Sequence, residues 1–202
     1  MNLISILSAD STSSVSVMIN GKIRDKFSTD DYNSHSKVLP EYLSKVNSIY
    51  DLEDFNGISV SIGPGSYTGL RIGLSLAKGI AFSKEIPLIP ITTFDIINHS
   101  IVAKGNYWIL VHSHREFYFA QEYKDSKKVS NASLIDINKL VNSDVYYSGK
   151  KIDNDQKDKI NIKLDSNVML QIAMQSYKNL CVYDINSVSP NYISNVKLNK
   201  NV

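Results

Sequence analysis

The chain has 202 residues, 43% of them hydrophobic and 21% charged, with a net charge of +2. That is enough apolar material for one substantial core or two smaller lobes, and it excludes a disordered chain. No basic run is longer than Lys127-Lys128 or Lys150-Lys151, which argues against a nucleic-acid stripe carried by this chain alone.

The first predicted elements are strands at residues 3–9 and 15–19, with Asn20-Gly21 as a hairpin turn into KIRDKF. Leu39, Leu43, Val46 and Tyr50 then recur at helical spacing, with Pro40 tolerable only near the helix start or as a kink. GISVSI at 57–62 is a β-branched run suited to a central strand. A helix is predicted from Tyr67 to Phe82 with Ser66 as N-cap. The prolines of IPLIPI, 86–91, place that strand at an edge or confine them to its ends. A helix capped by Thr92 or Thr93 follows, then strands YWILVH and EFYFAQEY with a turn near Ser113–Arg115. The last third predicts a short helix at 136–142, a strand at 144–148, a loop at 150–165, a helix at 168–178 and a strand at 181–185.

The opening MNLISILSADS has neither the charged start nor the long apolar stretch of a signal peptide. The most apolar window, 70–91, contains Arg71, Lys78, Lys84 and Glu85, so no membrane span is expected and the location expected is cytoplasmic. One cysteine, Cys181, excludes an internal disulfide or a multi-cysteine zinc site, and its apolar surroundings suit a buried structural thiol.

Five of the nine glycines fall within GISVSIGPGSYTGLRIG, residues 57–73. A P-loop would need a Lys-Ser/Thr pair that is absent, and a dinucleotide fingerprint from Gly63 would need glycine where Thr68 stands. An anion site at the following helix N-terminus stays open. So does packing: Gly69, Gly73 and Ala77 form a ridge without bulk that admits a close neighbour. Leu70, Leu74 and Ala81 make one apolar line on that helix, and Ile72, Leu76 and Ile80 a second. A helix apolar on most sides must be covered on most sides, which points to a partner surface.

Asp10, in SADSTSS, suits either a metal–nucleotide contact or a turn that bonds its own backbone. His35 is followed four positions on by Leu39, so no helical metal-binding pair exists. His112, His114 and Glu116 alternate, but the turn expected there breaks the alternation. His99 has no partner in the sequence.

GPGSYTGLRIGLSLAKGIAFSKEIPLIPITTFD, residues 63–95, closely resembles the signature of the bacterial TsaB (YeaZ) family. ISILSADSTSSVSV, HSKVLP and SPNYISN resemble its opening strand and turn, its His-bearing segment and its closing motif. The resemblance covers residues 3–110 well. Beyond them LVHSHREFY lacks the acid that the family carries at the position of His112, and Ser194 stands where the family often has Arg.

The resemblance implies an α/β fold of the actin/Hsp70/sugar-kinase (ASKHA) type with two mixed-sheet lobes, the second reduced: residues 1–103 as the N-terminal lobe and 104–202 as the smaller C-terminal one. It implies a non-catalytic partner of the TsaD transferase, acting with the TsaE ATPase to place threonylcarbamoyl on the adenosine next to the anticodon in tRNAs reading ANN codons. A homodimer is implied without the partner, and tRNA contact only through the complex. The implied partner surface comprises His35, Leu39, Leu43, Gly65, Tyr67, Gly69, Leu70, Arg71, Gly73, Leu74 and Ala77. No catalytic or metal-binding residue and no cofactor of its own is implied; a nucleotide at the heterodimer junction would meet Asp10, Ser11 and Thr12. The alternatives are an actin-like kinase or ATPase, for which phosphate-loop residues are missing, and a metallopeptidase, for which a ligand pair is missing.

Overall fold

The structure, a computed structural model, describes residues 1–31, 34–140, 144–149, 152 and 159–193. β1 (Leu3–Leu7), β2 (Ser13–Ile19) and β3 (Lys22–Thr29) form the expected antiparallel meander, turned by Asn20 and Gly21 at φ of 53° and 74°. α1 (His35–Ile49) carries Pro40 inside it, where the ring removes the amide that would otherwise bond the Ser36 carbonyl. β4 (Gly57–Gly63), α2 (Tyr67–Lys84), β5 (Leu88–Thr92) and α3 (Thr93–His99) follow. β4 and β5 run parallel to β1, giving the sheet order β3-β2-β1-β4-β5. Pro90 therefore sits on a strand at the end of the sheet, where a missing ladder donor is tolerated.

The second sheet contains β6 (Asn106–His114), β7 (Phe117–Lys124), β8 (Lys127–Lys128), β9 (Ser133–Asp136), β10 (Val145–Ser148) and β11 (Lys159–Asn161). Its order is β11-β10-β6-β7-β8, with β9 antiparallel to β7. α4 (Ser166–Gln175) and α5 (Tyr177–Leu180) leave this sheet, and α4 packs on the first one. Its Ser166 Oγ is hydrogen-bonded to the hydroxyls of Ser14 and Ser16, and Ser5 Oγ donates to the Ser166 carbonyl at 2.8 Å. Small hydroxyl residues on β1 and β2 let this helix lie close. Residues C-terminal to 103 thus contribute to both halves of the molecule.

Three apolar clusters result among the described residues. One joins α1 and α2 to the outer face of the first sheet through Leu39, Leu74, Ile6 and Val15. A second lies between the sheets, with α3 and α4, and includes Leu3, Ile91, Phe94, Tyr107 and Met169. The third covers the far face of the second sheet around Leu110, Tyr118 and Tyr147.

Four expectations in the last third need correction. Residues 181–185 make one bridge, Leu88 with Val182, and then a 3-10 turn in which Asp184 accepts from the Asn186 amide. Turn chemistry overrides β-propensity there. The helix expected at 136–142 is a single turn, Ile137–Lys139, capped by Asp136, with 141–143 outside the described residues. Within the loop expected at 150–165, β11 pairs in parallel with β10; residues 150–151 and 153–158 lie outside the described residues. The helix expected at 168–178 breaks at Ser176 between α4 and α5.

The close approach of α2 to β1 makes one stability prediction. A Cβ on Gly69 would fall 2.2 Å from the Ser8 carbonyl oxygen, whereas one on Gly79, in the same helix, meets nothing within 4 Å. Gly69→Ala is expected to destabilise by about 1–3 kcal/mol, lowering Tm by roughly 2–12 °C. Gly79→Ala is expected to stabilise by about 0.5–1 kcal/mol, raising Tm by roughly 1–4 °C. Thermal unfolding of both variants beside the wild type checks the pair.

Candidate functional site

The glycine-rich turn between β4 and α2 is pressed onto the end of β1. The Ser66 amide donates to the Ala9 carbonyl at 2.7 Å, and a Cβ on Gly65 would lie 2.0 Å from that same oxygen. Ser66 caps α2, its Oγ accepting from the Gly69 amide at 3.1 Å. The opening of α2 is therefore stitched to the turn that carries Asp10.

Asp10 has two partners. Its Oδ1 accepts from the Thr12 amide at 2.8 Å, and its Oδ2 accepts from Ser148 Oγ of β10 at 3.0 Å. The first bond is the local turn read from sequence; the second comes from the other sheet and had no local signal. Burial pushes the Asp10 carboxyl above its usual range, against the pull of those bonds. Thr12 is buried and donates to Asp30 at 3.0 Å, and Ser11 lies beside it half-buried.

The residues expected on a partner surface divide sharply. His35, Leu39, Leu43, Gly69, Leu70, Gly73, Leu74 and Ala77 are buried within this chain. The ridge of small residues faces inward: Gly69 and Gly73 abut the backbone and side chain of Ser8. The close contact anticipated for these glycines is made by the chain's own β1, so none of the eight presents a docking surface. Gly65 is half-buried in the turn, while Tyr67 and Arg71 are exposed and are engaged with Tyr192. The part of α2 left half-covered is the second apolar line, Ile72, Leu76 and Ile80.

His35 is committed to the fold. Its Nδ1 is 2.5 Å from Ser13 Oγ, burial lowers its pKa, and the position four residues on is the fully buried Leu39. His112 and His114 lie on β6 across a register shift, and Glu116 falls in the turn to β7. His112 Nε2 donates to the Arg115 carbonyl at 3.1 Å, and His114 stacks on Phe117. Among the described residues no three His, Cys, Asp or Glu side chains gather into a metal-holding group. Cys181 is half-buried, with burial raising its thiol pKa. Among the described residues no helix is long and apolar enough to cross a membrane.

Between the two sheets lies a cleft of about 390 Å³, bordered by Asp10, Ser66, Tyr67, His112, Ser148 and Tyr192. Sequence reading found its Asp10 and Ser66 rim but not Ser148 or Tyr192, which tertiary folding delivers from beyond residue 140. The signal for Tyr192 was the family-like SPNY segment, which carried no hint of what it touches.

The raised pKa of Asp10 fixes a sign. The folded state holds that proton more tightly than the unfolded chain, so its contribution to stability is full below the ordinary carboxylate range and is lost as pH rises through the folded-state value. Asp10→Asn keeps an acceptor for Thr12 and offers a donor to Ser148. Its Tm is expected to exceed that of the wild type at neutral pH, with the gap closing toward pH ~4; unfolding curves across that range check it.

Comparison with known proteins places this geometry. The family described as TsaD, tRNA N6-adenosine threonylcarbamoyltransferase, matches residues 32–188. The chain is 31% identical over 94 residues to the tRNA threonylcarbamoyladenosine biosynthesis protein TsaB of Escherichia coli, covering 46% of this chain and 41% of that protein. Against the TsaB of Bacillus subtilis the figures are 30% over 100 residues, 48% and 43%. The chain thus spans less than half the length of these curated relatives. The solved structure of YeaZ from Pseudomonas aeruginosa superposes with a TM-score of 0.74 at 13% identity, over 95% of this chain and 100% of that one. The architecture is the actin-like ASKHA fold, and the chain belongs to the TsaD family.

Proposed function

We propose that this chain serves tRNA threonylcarbamoyladenosine biosynthesis as a non-catalytic docking subunit. It pairs with a TsaD-type transferase through the face formed by α1 and α2, and with a second copy of itself when the transferase is absent. A TsaE-type ATPase joins the pair, and tRNA is met only through the complex. The observation that carries this reading is the half-covered line of Ile72, Leu76 and Ile80 on α2. The opposite side of that helix is already filled by the chain's own core, so these residues remain for a partner to cover.

Two further observations support it. The relatives found by sequence are named for this pathway, as TsaB proteins or as the transferase itself. Asp10 and His35, which an ATPase or a metallopeptidase would have to recruit, are held by Thr12 and Ser148 and by Ser13.

Sedimentation velocity of the purified chain, alone and mixed with a TsaD-type protein of the same source, tests the reading. Leu76→Asp places a charge at the centre of the line, on a half-buried side chain whose inner side rests on the core. It is expected to weaken association about thirtyfold, as loss of a central hot-spot residue does, while the chain stays folded with Tm lowered by roughly 2–8 °C. Association of Leu76→Asp at wild-type strength would overturn the docking face. Absence of any complex with the wild type would overturn the function itself.

A further inference from the structure

Residues 188–193 run outside any helix or strand along α2 and across the mouth of the cleft. Val188 is buried under α2, and Ile193 packs against the cluster between the sheets. The Asn191 amide donates to the Ile62 carbonyl at 2.7 Å. A surface clasp adds to these contacts. Arg71 Nε donates to the Tyr192 hydroxyl at 2.8 Å, the guanidinium lies 3.8 Å from the Tyr67 ring centroid, and the two tyrosine rings are 5.3 Å apart. Among the described residues Arg71 makes no salt bridge, so its guanidinium serves the clasp alone.

The surroundings of this segment are loosely filled. The cleft holding Asp10 borders Asn191, Tyr192 and Ile193 on one side. A second groove, open to solvent and of about 430 Å³, is bounded by Thr92, Gln121 and Lys128 and borders the same three residues. A third, of about 410 Å³, runs along Leu74 and Lys78 and borders Val188, Pro190 and Tyr192. A segment with solvent-open grooves on its flanks makes fewer dispersion contacts than a core element. Such segments open locally at a small fraction of the global unfolding free energy.

We propose that residues 188–193 are a strap that opens as a unit, with Arg71, Tyr67 and Tyr192 as its latch. Closed, it narrows the entrance to the Asp10 cleft and covers one flank of α2. Open, it exposes both while the two sheets stay intact. The latch lies on a different side of α2 from Ile72, Leu76 and Ile80, and it operates in the free chain with or without a docked partner.

Hydrogen exchange followed by mass spectrometry on the full chain tests this. Tyr192→Ala is expected to speed exchange of peptides covering 188–193 by at least about tenfold, with β1, β2 and α4 exchanging at wild-type rates and Tm within about 2 °C. Arg71→Met, which keeps the stem and loses the guanidinium, is expected to give the same pattern. Phe82→Ala removes an exposed ring on α2 remote from the strap and is expected to leave exchange there unchanged. Wild-type exchange at 188–193 in both latch variants overturns the latch. Faster exchange throughout the chain, with a fallen Tm, overturns the strap as an independent unit.

Discussion

At the end of β1 the carbonyls of Ser8 and Ala9 face the turn and first helical residues that follow β4, with no room for a Cβ at Gly65 or Gly69. The Ser66 amide closes the contact on Ala9, and Ser66 Oγ caps the helix it opens. Such an approach requires glycine for steric reasons alone, because any side chain would have to occupy the space of backbone atoms. It fixes the direction in which α2 leaves the sheet. Leu74, Ala77 and Ala81 then meet the outer sheet face, and α1 settles beside them through Leu39, Leu43 and Val46.

The same contact sets the chemistry of the cleft. By tying the α2 turn to the Asp10 turn, it forms one wall of a space whose other wall comes from the second sheet. Ser148 spans the gap to Asp10, and the segment around Tyr192 crosses its entrance. The glycine turn thus acts as a scaffold inside the chain, beside an Asp10 carboxylate that accepts from Thr12 and Ser148. What the helix leaves half-covered is its second apolar line, Ile72, Leu76 and Ile80.

The first half of the molecule was legible because its signals are local. Asn20-Gly21 dictates a hairpin, Ser66 a cap and Pro90 an edge position, and each operates over a few residues. The close helix contact was legible as well, since Gly69, Gly73 and Ala77 share one face. Its partner was not: the ridge meets Ser8 of the same chain instead of another protein, a distinction that spacing cannot carry. The last third misled for the same reason, as β11 exists only by pairing with β10 and residues 181–185 take the shape that Asp184 imposes once β5 has used Val182.

The amino-acid sequence by itself determined the element order through β7, the family signature and the side-chain-poor ridge of Gly69, Gly73 and Ala77. These depend on periodicity, turn stereochemistry and volume, all written in neighbouring residues. Only the tertiary structure decided which face of α2 is buried, that α4 returns to the first sheet, and that Ser148 and Tyr192 reach the site from beyond residue 140. The return of α4 and the reach of Ser148 and Tyr192 depend on contacts between residues more than a hundred positions apart, whose free energy exists only once the chain has closed on itself.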